Sequence, residues 1–428
     1  MTTLNQTKVA LIGFGTVGSS VAKVLATLNL PGLQLTHIYN RGIARKQSSP
    51  EAAHVAATAL WTEDIEDLLT SDADVIVELI GGLAPAQGWI ERALASGKSV
   101  VTANKQLIAY HGAALAALAR EHNVQFLHNA AVAGGVPVIP GILQGLGGDQ
   151  ITRVSGILNG TCNFILSKME AGAPYAEVLA EAQRLGYAEA DPTADVGGFD
   201  ARAKLCILAR IAMHVEIDPE QVATQTIAAI DAVDFAYAKE LGCTIRQVSR
   251  AQVEGQGINA RVAPMLVPRE SPIAWSHGTQ NMVVTTGRFG GDVVFSGHGA
   301  GGDATAVAVV SDLLAVSQNA RSVSLPVAPS AVTGDSVAPH YLRFIVDDKP
   351  GIVSSIAGAL SKVGANIDSI LQRPGYPKHR LAFVVTTEPC LTSTIDRAVQ
   401  SMGQLDCMLE PPLSLQILVL DDKDEPTA

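Results

Sequence analysis

The stretch KVALIGFGTVGSSVAKVLATL (residues 8–28) constrains the fold more than any other part of the chain. An apolar run ends in Gly13, Gly15 and Gly18 at GxGxxG spacing, and apolar residues then recur at helical intervals. That order predicts a strand, a tight glycine turn and a helix whose first backbone N–H groups are open to a phosphate. Further apolar runs at LQLTHIYN (33–40), DVIVELI (74–80), SVVTAN (99–104) and VQFLHN (124–129) alternate with helix-like stretches such as GWIERALASG and HGAALAALAREH. Strands alternating with helices predict an α/β fold with a doubly wound parallel sheet over residues 1–140.

The pattern changes near residue 150. Strand-like runs (ITRVSGILN, CTIRQVSRAQV, GINARVAPMLVP, NMVVTTGRF, DVVFSG) with helices at about 161–171, 175–185 and 199–213 predict an α+β domain over 141–320. Its last helix, about 303–318, is expected to return to the first domain. Residues 321–339, rich in Ser, Pro and Ala, read as a linker. Residues 340–428 then read strand, helix, strand, strand, helix, strand, which is the ferredoxin-like order, before an acidic tail, DDKDEPTA.

Composition removes several classes of function. The 428 residues carry a formal net charge of -11 and only 17% charged residues, so no basic stripe is available for nucleic acid. No signal-peptide pattern and no apolar run long enough to span a bilayer is present, which predicts no membrane partner. Cys162, Cys206, Cys243, Cys390 and Cys407 are scattered without CxxC or Cys/His clustering, which argues against a zinc site or a disulfide framework and for the cytoplasm.

Three places could carry chemistry. The glycine turn predicts a dinucleotide site, and the second strand ends in Asn40-Arg41, with Arg45 and Lys46 following. An NAD-selective site would offer a carboxylate there, whereas Asn and Arg accommodate a 2′-phosphate, so NADP(H) is preferred and NAD(H) tolerated; solvated loop cations are the other reading. Thr102, Asn104 and Lys105 fall at the carboxyl edge of the sheet, where such sheets bind ligands, although a lone lysine at a helix start is often only a surface residue. Third, GYAEADPTADVGGFDARAKL (186–205) sets Glu189, Asp191, Asp195 and Asp200 ahead of Arg202 and Lys204. On a helix, Asp200 and Lys204 share a face at i and i+4. An ordinary surface salt bridge is one reading; a lysine that exchanges a proton beside carboxylates that meet a substrate ammonium is the other. Together these suggest a dinucleotide oxidoreductase acting on a small polar substrate.

GILNGTCNFIL (156–166), AQRLGYAEADPTADVGGFDARAKLCILA (182–209), VTANKQLI (101–108) and AAVAGGVPVI (130–139) together resemble the homoserine dehydrogenase family, and HYLRFIVDDKPGIVSSIAGALSKVGANIDSILQ is similar to an ACT regulatory domain. The arrangement resembles the monofunctional bacterial members, with no kinase domain in front. The resemblance implies an N-terminal Rossmann domain and reversible NAD(P)-linked interconversion of L-homoserine and L-aspartate 4-semialdehyde, on the way to threonine, methionine and isoleucine. It implies Lys204 and Lys105 as catalytic residues, and Glu189, Asp195, Asp200 and Lys204 on the substrate. Cofactor contacts are implied at Gly13, Phe14, Gly15, Thr16, Val17, Gly18, Asn40, Arg41, Thr102, Lys105, Gly186, Glu189 and, from the turn 297–302, Gly302. A monovalent cation, usually sodium, is implied at backbone carbonyls of Val132, Gly134 and Val136, with Asn129 where many members have Glu. L-Threonine at the turn Asp348-Lys349-Pro350-Gly351, and a homodimer or homotetramer, complete the expectation. An amino-acid dehydrogenase of the aspartate dehydrogenase type, or a non-catalytic amino-acid sensor, would share parts of this pattern; neither accounts for the 182–209 block with both lysines intact.

Overall fold

A computed structural model describes residues 6–30, 32–320, 327–333 and 335–420, so the acidic tail and residues 321–326 of the expected linker lie outside the described residues. The chain divides into two compact units, each assembled from separated stretches. The first takes Met1–Val154, Ala203–Glu220 and Thr279–Ser330; the second takes Ser155–Arg202, Gln221–Gly278 and Ala331–Ala428.

The first unit is built on β1 (Thr7–Ile12), α1 (Thr16–Leu28), β2 (Leu33–Tyr39), β3 (Leu60–Thr62), β4 (Val75–Glu78), α2 (Ala86–Ala95), β5 (Ser99–Thr102), α3 (Lys105–Glu121) and β6 (Phe126–Leu127). The strands are parallel and ordered β3-β2-β1-β4-β5-β6. Their near-continuous apolar runs follow from burial on both faces. Ala10, Ile12, Ile76 and Val100 pack against Ile90, Leu94 and Leu107 on one side. Val9, Leu11, Val75, Val77 and Val101 face the other way, onto Val21 and Ala22 of α1. The late helix Gly302–Ser317 joins that second layer through Ala306, Val309, Val310 and Leu313. Between β1 and β4 the strand order reverses, which opens a crevice outside the carboxyl ends of the strands.

In the second unit, Cys243–Glu254 and Gly257–Pro268 form a long antiparallel hairpin. The carboxy-terminal strands are His340–Val346, Ile367–Leu371, Leu381–Thr387 and Leu413–Ile417, with helices Ile352–Val363 and Thr392–Met402 between them in βαββαβ order. Strand 413–417 lies antiparallel to 340–346 and also pairs in parallel with the hairpin, Met265 opposite Gln416 and Leu266 opposite Ile417. The two helices cover one face, on Leu342, Phe344, Phe383 and Val385. Tyr341, Val384, Leu413 and Leu415 on the opposite face join the core formed by Ile165, Leu166, Tyr237, Ile245 and Leu266. Within the expected linker, Ala328–Pro329, Val332–Thr333 and Val337–Ala338 each make a two-residue strand pairing.

His340 opens the first of these strands and is 1% exposed. Burial, with the charge of Arg261 nearby, lowers its imidazole pKa to about 4. Because the unfolded chain takes up this proton near pH 6.5 and the folded chain does not, stability is lost as pH falls from about 6.5 to 4. Between pH 7.5 and 5, wild type is expected to lose about 2 kcal/mol more than His340→Gln in urea titrations.

Candidate active site

The glycine turn has the shape a pyrophosphate needs. Gly13 has φ +108°, and a Cβ there would meet the Ile80 side chain at 2.9 Å. A Cβ on Gly18 would meet the Gly13 carbonyl oxygen at 2.2 Å, so only glycine lets α1 start this close to the strand end. Gly15 caps α1 without any side-chain hydrogen bond, faces open space, and no acid sits in the helix's first turn. The helix dipole and its first N–H groups therefore fit an anion. Thr16 is exposed, Val17 half-buried, and the Phe14 ring is core, edge-on to Trp61. Asn40 accepts the Phe14 N–H (3.3 Å), which ties the end of β2 to the turn, while Arg41 is exposed. Gly302 begins its helix against α1, where a Cβ would meet Ser20 and Thr16. Gly18→Ala is expected to weaken NADPH binding by at least about tenfold in a fluorescence titration, because the displaced partner is backbone.

Beside the turn, the ends of β4 and β5 are fixed by a carboxylate that sequence reasoning did not single out. Glu78 is fully buried and accepts from Ile80 N–H (2.8 Å), Gly81 N–H (2.9 Å) and the Thr102 hydroxyl (2.6 Å). Thr102 accepts the Asn104 N–H in turn, and Asn104 caps α3 through Leu107 N–H while donating to Gly82 O (2.6 Å). Lys105, half-buried, is the first residue of that helix. An acid inside the apolar run DVIVELI was the available signal.

Lys204 is half-buried on helix Phe199–Met213, whose residues Leu205–Ala209 are all buried. Farther along, Arg210 donates to the carbonyls of Ile108 (2.7 Å) and Ala109 (3.1 Å), within the first turns of α3, and pairs with Glu216. Gly112 makes room, since a Cβ there would meet the guanidinium at 2.4 Å. The helix bearing Lys204 is thus fastened to the helix that begins at Lys105.

In the second unit, the four acids of the 186–205 stretch separate. Asn159, 4% exposed, donates its amide to Asp195 (2.6 Å) and Asp200 (2.9 Å), and its oxygen accepts Cys162 N–H (2.8 Å) as the N-cap of helix Gly160–Glu170. Asp191 instead turns to Thr193, whose hydroxyl and N–H together lower its pKa, at the start of the short turn Thr193–Val196. Glu189 and Gly186 (φ +75°) lie exposed on the loop, which is held by Gln183 on Glu189 O (3.1 Å) and Thr161 on Tyr187 O (2.6 Å). Asn159 stood inside the quoted GILNGTCNFIL, and its position before a helix was the only hint of its cap.

Around the expected cation loop, Val132 and Val136 are buried and Gly134 (φ +51°) lies against Gly299, where a Cβ would meet its oxygen at 2.6 Å. The Val136 carbonyl already accepts Val138 N–H (2.8 Å). Asn129 directs its backbone N–H (3.0 Å) and its amide to Asp312, a fully buried carboxylate pushed up to about 7 by burial. Among the described residues no group of three His, Cys, Asp or Glu side chains could hold a metal, and no helix is long and apolar enough to cross a membrane.

A six-stranded parallel sheet with an open glycine turn, two carboxylates gathered on one buried amide, and a βαββαβ unit define an NAD(P)-dependent oxidoreductase with an ACT domain. The homoserine dehydrogenase NAD-binding domain matches residues 13–129, homoserine dehydrogenase 137–314, and the ACT domain 340–400. Homoserine dehydrogenase of Mycobacterium tuberculosis is 38% identical over 421 residues, covering 93% of this chain and 94% of the relative. The crystal structure of a homoserine dehydrogenase from Thiobacillus denitrificans aligns with TM-score 0.88 at 33% identity, over 96% of this chain and 98% of that one. A hyperthermophilic archaeal homoserine dehydrogenase in complex with NADPH aligns with TM-score 0.63 at 26% identity, over 74% and 99%. The chain belongs to the homoserine dehydrogenase family, enzymes of amino-acid biosynthesis.

Proposed function

We propose that this enzyme reduces L-aspartate 4-semialdehyde to L-homoserine, reversibly and with NADP(H) in preference to NAD(H), in the cytoplasm. The observation that carries the reading is the carboxylate pair, Asp195 and Asp200, gathered on one buried amide, with Lys204 one turn beyond Asp200 on the same helix. The bound dinucleotide supplies the hydride. Its pyrophosphate would be held at Gly13–Gly18, with Gly302 alongside, and its ribose phosphate near Asn40 and Arg41, where β2 ends without an acid. Asp195 and Asp200, with Glu189, receive the substrate ammonium. Lys204 gives its proton to the aldehyde oxygen during reduction and takes it back during oxidation. Lys105 opposes the negative charge developing on that oxygen, and the Glu78–Thr102–Asn104 chain holds its helix start in place.

The carbonyls of Val132, Gly134 and Val136 would hold sodium in this reading, with Asn129 held at the loop by its two hydrogen bonds to Asp312. Oxidation of NADPH and of NADH with the semialdehyde tests the central claim: turnover with NADPH favoured is expected, and turnover with neither nucleotide overturns it.

The same proposal places L-threonine at the 348–351 turn as an end-product inhibitor, in a dimer or tetramer. Such an effector acts only by binding one enzyme state more tightly than another. Because Tyr341, Val384 and Leu413 belong to a core shared with the middle of the chain, full-length protein is the proper subject. Asp348→Asn, which weakens the Lys378 pair (2.6 Å), is expected to raise the threonine concentration for half-inhibition about tenfold with kcat unchanged in its absence. Identical titration curves for wild type and variant remove the assignment to this turn.

A further inference from the structure

The amide of Asn159 is oriented by its surroundings. Its oxygen takes the Cys162 N–H (2.8 Å), and both remaining partners, Asp195 (2.6 Å) and Asp200 (2.9 Å), are acceptors. Turned over, the side chain would set an oxygen against two carboxylates and an NH2 against an N–H, so the observed orientation is the only one with matched partners. Two carboxylate oxygens on the two N–H bonds of one nitrogen stand about 5 Å apart. The acids come from different elements, one from the turn Thr193–Val196 and one from the first turn of helix Phe199–Met213. Gly197 and Gly198 reverse the chain between them: a Cβ on Gly197 would meet Thr193 O at 2.7 Å, and Gly198 has φ +85°. Like charges this close disfavour joint ionisation, and a donor to both restores it. An amide does so without adding positive charge. A lysine or arginine at this position would cancel the pair that a substrate ammonium has to find.

We propose that Asn159 is a positioning residue that keeps Asp195 and Asp200 together, ionised and aimed as one receptor for the α-ammonium of the substrate, and so sets the preference for amino-bearing aldehydes. The inference rests on the reading of those two acids as substrate ligands. Its role differs from simple helix capping, and two substitutions separate the roles. Asn159→Ser keeps an N-cap oxygen and removes the amide donors; Asn159→Asp keeps the cap and turns donors into a third charge.

The test uses full-length enzyme with NADPH and two aldehydes, L-aspartate 4-semialdehyde and its des-amino analogue, succinate semialdehyde, alongside Asp200→Asn. For Asn159→Ser, kcat/KM on the amino aldehyde is expected to fall about 10- to 100-fold, mainly through KM, the range for loss of hydrogen bonds to charged groups. Its acid limb should move to higher pH, while NADPH affinity, thermal unfolding and activity on the des-amino aldehyde stay near wild type. Asn159→Asp should lose more. An equal loss on both aldehydes, or an unchanged acid limb and discrimination in Asn159→Ser, overturns the inference. If Asp200→Asn loses discrimination and Asn159→Ser does not, Asn159 alone is misassigned; if Asp200→Asn leaves discrimination intact, the underlying substrate reading falls and this inference with it.

Discussion

Lys204→Ala is expected to lower kcat for semialdehyde reduction by about 10²- to 10⁴-fold, the range a positioned acid–base side chain supplies. The lysine sits on a helix whose following residues are buried, and Arg210 locks that helix to the carbonyls of Ile108 and Ala109. Its ammonium is therefore delivered on a rigid element, and a small replacement leaves nothing in its place. NADPH affinity should hardly change, because the glycine turn and its helix are untouched. Lys204→Arg divides the two ways such a cation can act. Arginine keeps the charge but does not release its proton, so loss equal to that of alanine supports proton transfer. Substantial recovery with arginine would leave Lys204 an electrostatic role and move the proton to Lys105.

The largest expected loss of stability comes from Asp234→Ala. Asp234 is fully buried, accepts from Tyr341 (2.7 Å) and pairs with Arg343 (2.5 Å), whose side chain is 7% exposed. Both partners stand on the first carboxy-terminal strand, and Asp234 closes a capping box at the start of helix Ala232–Glu240. Removing the acid strands a guanidinium and a phenol in a dry core, which costs about 3–5 kcal/mol. Chemical denaturation of the full chain should show the drop. The double variant Asp234→Leu with Arg343→Met should recover much of it, since a buried pair replaced by apolar groups is often near neutral. A single-variant loss below about 1 kcal/mol would mean that water reaches Arg343. Tyr237 strengthens the same junction, its hydroxyl donating to Ala382 O (2.9 Å) and accepting Arg373 N–H (3.0 Å).

Much of this arrangement was legible in the residues. The glycines at 13, 15 and 18 carry their reason locally, in a positive φ and in a close approach of helix to strand. The placement of Asp200 and Lys204 on one helix followed from periodicity, and Phe199–Met213 is that helix. Glu78, Asn159 and Asp312 were harder to see. Each is a polar residue with a side-chain or backbone partner far away in sequence: Glu78 on Thr102, Asn159 on Asp195 and Asp200, Asp312 on Asn129. An apolar run around an acid, as in DVIVELI, hints at its burial but does not name the distant partner that satisfies it. The four acids of 186–205 illustrate the limit, since Asp191 turns to its own backbone while Asp195 and Asp200 meet on Asn159.

By itself, then, the sequence determined the succession of strands and helices, the nucleotide turn and the βαββαβ unit, because apolar period and glycine stereochemistry act over a few residues. Only the tertiary structure decided that strand 413–417 pairs with strand 257–268 of the long hairpin while Tyr341 and Leu415 enter its core. Those outcomes depend on which apolar faces and which buried donors and acceptors match across hundreds of residues. That matching is a property of the packed chain, fixed by the cost of leaving either kind of group unpaired.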